Sequence, residues 1–176
     1  MCSFQLSPTI TTERLTLRAP ALADAPKLAA QCADFSIPRM TTRMPWPFRL
    51  EDAQGFVEKV TQADPGKHQA FVVDHPTFGP VGVVGLHAHD RFPELGYWIG
   101  RSHWGRGYAT EAVRAALSWA RHQWKQKVIQ AGHFADNHAS AGVLVKSGFL
   151  YTGDVVMKHS IARGEDVPTR MMVWIA

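Results

Sequence analysis

The stretch Trp104-Gly105-Arg106-Gly107-Tyr108-Ala109-Thr110-Glu111-Ala112 points most directly to chemistry. Two glycines one residue apart let a backbone turn tightly and approach a ligand without a Cβ in the way. A helical apolar pattern starts at Ala109, so the unpaired N–H groups and positive dipole end of a helix face the loop. Such donors bind phosphate, and Arg101 and Arg106 add positive charge nearby. A G-x-G pair alone also suits a plain helix entry with turn glycines, and at this level both readings stand. Neither common nucleotide motif is present. There is no G-x-x-x-x-G-K-[ST], and Thr110 stands where G-x-G-x-x-G needs its third glycine.

Other residues suggest chemistries that their spacing weakens. His87 and His89 fall on one side of a strand, but no third ligand stands near them, so no metal is expected. Ser140 lies in His138-Ala139-Ser140-Ala141-Gly142, which lacks the first glycine of a hydrolase nucleophile elbow. Trp46, Trp98, Trp104, Trp119, Trp124 and Trp174 are dispersed, mostly within predicted elements. They suit core or ligand packing better than a stacking surface for single-stranded nucleic acid. Trp46, between Pro45 and Pro47, is the exception and belongs to a loop.

The elements that must position these groups follow from periodicity. Leu15-Thr16-Leu17 alternates as a short strand. Asp24 and Pro26 open a helix to about Ala33. Ile37 to Pro47, with three prolines, is a loop. Glu51 and Asp52 start a helix running to about Gln62, with acids where the dipole favours them. Ala70–Val73, Val81–His87 and Leu95–Ile99 read as a meander of strands. Ala109, Ala112, Val113, Ala116, Leu117 and Ala120 then line one face of a strong helix. Val128–Phe134 is a strand, Asn137–Ser147 a short helix ended by Gly148, and Phe149–Met157 and Thr169–Ile175 the last strands. The tally is about seven strands and four helices in one α+β domain spanning residues 1–176. The run from Leu95 to Phe134 suits a parallel crossover.

Bulk properties narrow the function classes. Hydrophobic content of 45% against 19% charged supports a packed core. No apolar run approaches the ~20 residues of a membrane helix. The start, Met1 to Leu15, has no basic region leading into an apolar stretch, so no secretory signal is expected. Cys2 and Cys32 make no disulfide framework. A cytoplasmic protein with free thiols is the expectation, with neither membrane nor nucleic-acid partners. The net charge of +4 comes from scattered basic residues, which leans toward one polyanionic ligand site.

Three segments carry a resemblance. Glu94-Leu95-Gly96-Tyr97-Trp98-Ile99 followed by Trp104 to Ala112 resembles the acetyl-CoA motif of the GNAT superfamily, Q/R-x-x-G-x-G/A, with Gly107 and Ala109 in its last two defined positions. Trp104 stands where Gln or Arg is usual, a departure common in the RimJ/RimL-like branch. Asn137, Ser140 and Lys146-Ser147-Gly148-Phe149 resemble that branch's N-x-x-S…K-x-G-F. Thr12-Glu13-Arg14-Leu15-Thr16-Leu17-Arg18 resembles its first strand.

The resemblance implies a mixed, mostly antiparallel twisted sheet splayed in the middle. It implies acetyl transfer from acetyl-CoA to a primary amine, foremost a protein or peptide N-terminal α-amine. A small-molecule amine (polyamine, amino acid or aminoglycoside) and a non-catalytic acyl-CoA sensor are the alternatives. Pantetheine would pair with backbone at Trp98, Ile99 and Gly100. The pyrophosphate would lie at Trp104, Gly105, Arg106, Gly107, Tyr108, Ala109 and Thr110, and Asn137 would bond the pantetheine arm. An α-amine, with pKa ~7.7–8.0 against ~10.4 for lysine, needs only a weak base. Glu94 acting through water is implied as that base, and a salt-bridged strand-end glutamate is the competing reading. Leu144 occupies the position of the family's usual tyrosine acid. Ser140 is implied in its place as the general acid or as a contact to CoA, and a hydroxyl bonding backbone is the competing reading. Trp46 and Phe48 are implied at the acceptor, His133 and His138 flank the CoA site, and family analogy suggests a homodimer.

Overall fold

A computed structural model describes residues 8–89 and 91–176; Cys2 lies outside the described residues. In chain order the elements are β1 (Ile10–Thr11), β2 (Thr16–Arg18), α1 (Ala25–Gln31), α2 (Leu50–Gln62), β3 (His68–His75), β4 (Gly79–His87), β5 (Glu94–Ile99), α3 (Tyr108–His122), β6 (Val128–Phe134), α4 (His138–Lys146), β7 (Leu150–Ser160) and β8 (Glu165–Ile175). One sheet takes all eight strands in the order β1-β2-β3-β4-β5-β6-β8-β7. Every pairing is antiparallel except β5 with β6, which α3 joins as the predicted crossover. The fold is the expected α+β architecture.

Two differences from the sequence reading have local causes. β1 has only two residues, too few to show alternation, and exists because it pairs with β2 at the sheet edge. β7 and β8 run longer than predicted because Pro168, which lacks a ladder N–H, reads as a strand boundary. In the structure its carbonyl accepts the Ala135 N–H at 2.8 Å, and the strand continues to Glu165.

Helices cover both faces of the sheet. On one, α3 buries Ala112, Val113, Ala116, Leu117 and Ala120 against Phe71, Val84, Leu95, Ile99 and Ile129. Small alanines at helical spacing let α3 lie close to the strands. Truncating a fully packed leucine such as Leu117 to alanine costs about 2–5 kcal/mol. On the other face, α1 and α2 bury Leu28, Ala53 and Val57 against Val72 and Val83. Arg18 ties this side together, reaching Asp24 at 2.8 Å and Asp74 at 2.7 Å. Cys32 is buried, and burial pushes its thiol up to about 12, which keeps it protonated and inert.

Candidate active site

The sheet opens between β5 and β6. Only Glu94 and Gln130 stand as register partners, with the Gln130 N–H reaching the Pro93 carbonyl at 2.8 Å. Beyond that point the strands diverge. The Gly100 N–H donates to the Val81 carbonyl, so alternation turns the backbone of Trp98 and Gly100 toward β4. The backbone groups of Tyr97 and Ile99 therefore face the gap. The Ile99 carbonyl already accepts the Trp104 indole N–H at 2.6 Å, which ties the glycine loop to the end of β5.

That loop has the geometry its glycines suggest. Gly105 and Gly107 have φ of +73° and +81°, the left-handed region that side chains rarely adopt. No side chain caps α3, so the N–H groups of Tyr108, Ala109 and Thr110 stand as donors at its positive end. Glu111 in the same turn would repel an anion, but Arg14 cancels its charge. Arg14 meets the carboxylate at 2.7 Å, and Thr12 and the Arg14 N–H bond it at 2.7 and 2.9 Å. Burial works against the Glu111 carboxylate, yet these hydrogen bonds prevail and hold its pKa below the usual range. Arg14 also donates to the Arg106 carbonyl at 2.8 Å and lies over the Tyr108 ring.

On the α1–α2 face the sheet floor is bare. Gly85 and Gly96 are direct partners on β4 and β5, and a Cβ on either would meet nothing closer than 3.5 Å. His87 and Glu94, also partners, stand at one end of this floor, with Trp98 at the other. Lys158 reaches Glu94 at 2.7 Å, and His89 lies 3.9 Å from the same carboxylate. Burial, followed by the charge of Arg43, pushes the His87 imidazole down to about 4, against a smaller opposing pull from Glu94. His87 is therefore neutral at physiological pH. The tip of the β7–β8 hairpin closes over the loop that precedes α2. Ser160 Oγ donates to the Thr41 carbonyl, the Ile161 N–H to the Thr42 carbonyl, and Arg163 Nε to the Arg39 carbonyl.

Comparison with known proteins names this arrangement. The profile of the Acetyltransferase (GNAT) domain family matches residues 14–150. The chain belongs to the GNAT acetyltransferase family. Its glycine loop and parted strands lie inside the matched region. An N-acetyltransferase called p20 from Bacillus licheniformis is 30% identical over 170 residues, covering 93% of each chain. Among solved structures, the ribosomal L7/L12 α-N-protein acetyltransferase RimL with coenzyme A is 19% identical at a TM-score of 0.80, covering 96% of this chain and 98% of that one. Spermidine N-acetyltransferase from Vibrio cholerae, with CoA and spermine, is 18% identical at 0.78, covering 93% and 96%. At these identities the two structures show the shared fold.

As a GNAT enzyme the protein is an acetyl-CoA-dependent acyltransferase, and its residues fit that co-substrate. The left-handed loop and the uncapped first turn of α3 present backbone donors, and the gap beside β5 leaves strand edge exposed. The remaining sequence-predicted residues fall as follows. Asn137 caps α4, its Oδ1 accepting the Ser140 N–H at 3.1 Å, which leaves the amide nitrogen available. Ser140 Oγ lies 2.8 Å from the Tyr97 hydroxyl. Burial pushes the Tyr97 hydroxyl up, so it stays protonated. Leu144 is core. His133 is buried against Tyr151 at 3.0 Å, while His138 is exposed. Phe48 packs on the same cluster as Trp98, and Trp46 lies exposed against Phe35 at 5.2 Å between centroids. Sequence reasoning missed Arg14 as the loop's strut, Tyr97 as the partner of Ser140, and Lys158 and His87 beside Glu94. His87 had been weighed only as half of a metal pair. Among the described residues no three metal-ligating groups converge, and no helix is long and apolar enough to cross a membrane.

Proposed function

We propose that the protein moves the acetyl group of acetyl-CoA directly to a primary amine, and that this amine is the N-terminal α-amine of a protein or peptide. The observation that carries the transfer is the single-pair junction of β5 and β6. It leaves the Tyr97 backbone and the Ile99 N–H facing the gap between the glycine loop and Glu94. A backbone N–H here polarises the thioester carbonyl while the amine nitrogen bonds to its carbon. Glu94 takes the amine proton through water, and the carbon–sulfur bond breaks to release a thiolate. Ser140, held by Tyr97, contacts the CoA arm; a thiolate leaves readily without a proton. The peptide reading is supported by the low basicity of an α-amine, by Phe48 packing in the same cluster as Trp98 with Trp46 exposed in the same loop, and by the likeness to RimL. The likeness to the spermidine enzyme supports a second reading, a small-molecule amine.

Thiol release from acetyl-CoA at pH 8 tests both readings. One arm holds short peptides with free Ala, Ser or Met N-termini; the other holds polyamines, amino acids and aminoglycosides. Turnover with peptides alone supports the N-terminal reading. Turnover with small amines alone replaces it.

A further inference from the structure

The Glu94 carboxylate at the open floor of Gly85 and Gly96 is engaged. Glu94 Oε1 meets Lys158 Nζ at 2.7 Å, with both side chains mostly buried. An ion pair at the edge of this open strand surface occupies the positions that a ligand of opposite polarity would take. An ammonium entering beside Glu94 competes with Lys158 for the carboxylate, and weakening that pair leaves a mostly buried cation short of its partner. Such a loss is costly unless the incoming molecule supplies an anion. A second cation, Arg43, is near enough for its charge to act on His87. Arg43 directly follows Thr42, whose carbonyl receives the Ile161 N–H from the hairpin that carries Lys158. Arg43 is exposed and has no carboxylate partner among the described residues. His87, on the same side of the floor, is partly buried and packs its ring toward Gly96.

We infer that the acceptor carries an anionic group, a carboxylate or a phosphate, within a few bonds of its reacting amine, and that Lys158 and Arg43 hold this group while Glu94 receives the ammonium. The Glu94–Lys158 pair then exchanges for two intermolecular pairs, and no charge is left unmatched. A polyamine satisfies Glu94 but brings further positive charge against Lys158 and Arg43, so it is selected against. This inference rests on the amine-acetylation reading and narrows its substrate class.

The test uses the full chain with saturating acetyl-CoA and C-terminally amidated peptides that differ only in their first residue. Aspartate and O-phosphoserine supply the two anions. Serine is neutral, and lysine and free spermidine are cationic. The expected kcat/KM for the acidic peptides exceeds that for the serine peptide by about tenfold or more, the worth of one charged hydrogen bond. Comparing aspartate with phosphoserine tells which anion is read. Lys158→Met and Arg43→Gln each bring the acidic-to-neutral ratio toward one, and Lys158→Arg restores it. Acetyl-CoA affinity by calorimetry stays within about twofold in all three, because neither side chain touches the glycine loop. If Lys158→Met does not fold, Arg43→Gln on its exposed loop decides. A serine, lysine or spermidine acceptor that equals or beats the acidic peptides overturns the inference and leaves amine acetylation standing. A ratio unmoved by both substitutions overturns it as well. Absence of turnover with every amine overturns both the inference and the reading beneath it.

Discussion

The two ends of the proposed active site are built in opposite ways. The phosphate end is local: Trp104 to Thr110 supply the turn, the donors and the helix dipole from one continuous stretch. The amine end is assembled from distant segments. Glu94 and His87 come from two strands, Lys158 from the last hairpin, and Arg43 from the loop before α2. Backbone donors at a helix start serve any pyrophosphate, so the local end suits a ligand that never changes. Side chains on loops and hairpins can be exchanged without disturbing the sheet, so the assembled end suits a variable acceptor.

Substitutions on the two ends separate their roles. The largest expected effect is at the amine end. Glu94→Gln removes the proposed base and is expected to lower kcat about 100-fold, while acetyl-CoA affinity stays within a few-fold. Turnover that is unchanged between pH 6 and 9 would take Glu94 out of the mechanism.

The next pair compares two glycines. Gly107→Val forces a branched residue to φ near +81° and brings its Cβ to 3.3 Å from Arg14 Nη2. The backbone strain is on the order of 1–3 kcal/mol, and acetyl-CoA affinity falls at least about tenfold. Native affinity in a folded variant contradicts the loop's role. Gly96→Val has the reverse signature. Its Cβ has room, and valine suits a strand better than glycine, so thermal stability holds or rises. Acceptor KM rises about tenfold because the floor is filled, while acetyl-CoA binding is kept. Equal damage to both ligands would mean that the two ends are not separate.

The smallest effects concern charge. Arg14→Gln removes the partner of Glu111 and weakens acetyl-CoA binding by about 1 kcal/mol, checked by calorimetry at low and high salt. At the amine end, His87 has a folded pKa of about 4, below the ordinary 6.5. The unfolded chain therefore takes up this proton first as pH falls. The contribution of His87 to stability is full above about 6.5 and declines toward pH 4. Chemical denaturation across that range should show less of this decline in His87→Gln, and NMR should show a neutral imidazole at pH 6.

Legibility in the sequence followed the same division. Helix α3 was readable because its apolar positions repeat at 3.6 residues, and the glycine loop because turn glycines sit next to it. Glu94 was found through the motif it begins, but its pairing was not, since Lys158 lies 64 residues away. Arg14 is 97 residues from Glu111, and nothing in its own segment marks it as a strut. Strand β1 and the full length of the hairpin were hidden because edge pairing and a tolerated proline leave no periodic signal.

What the sequence determined by itself is most of the elements and the glycine turn before α3, because propensity, periodicity and φ preferences act between near neighbours. Tertiary structure alone decided which charges face one another across the open floor. Side chains far apart in sequence meet only after the sheet has twisted and the hairpin has folded over the loop, and the energy of a charge pair depends on that final distance and burial.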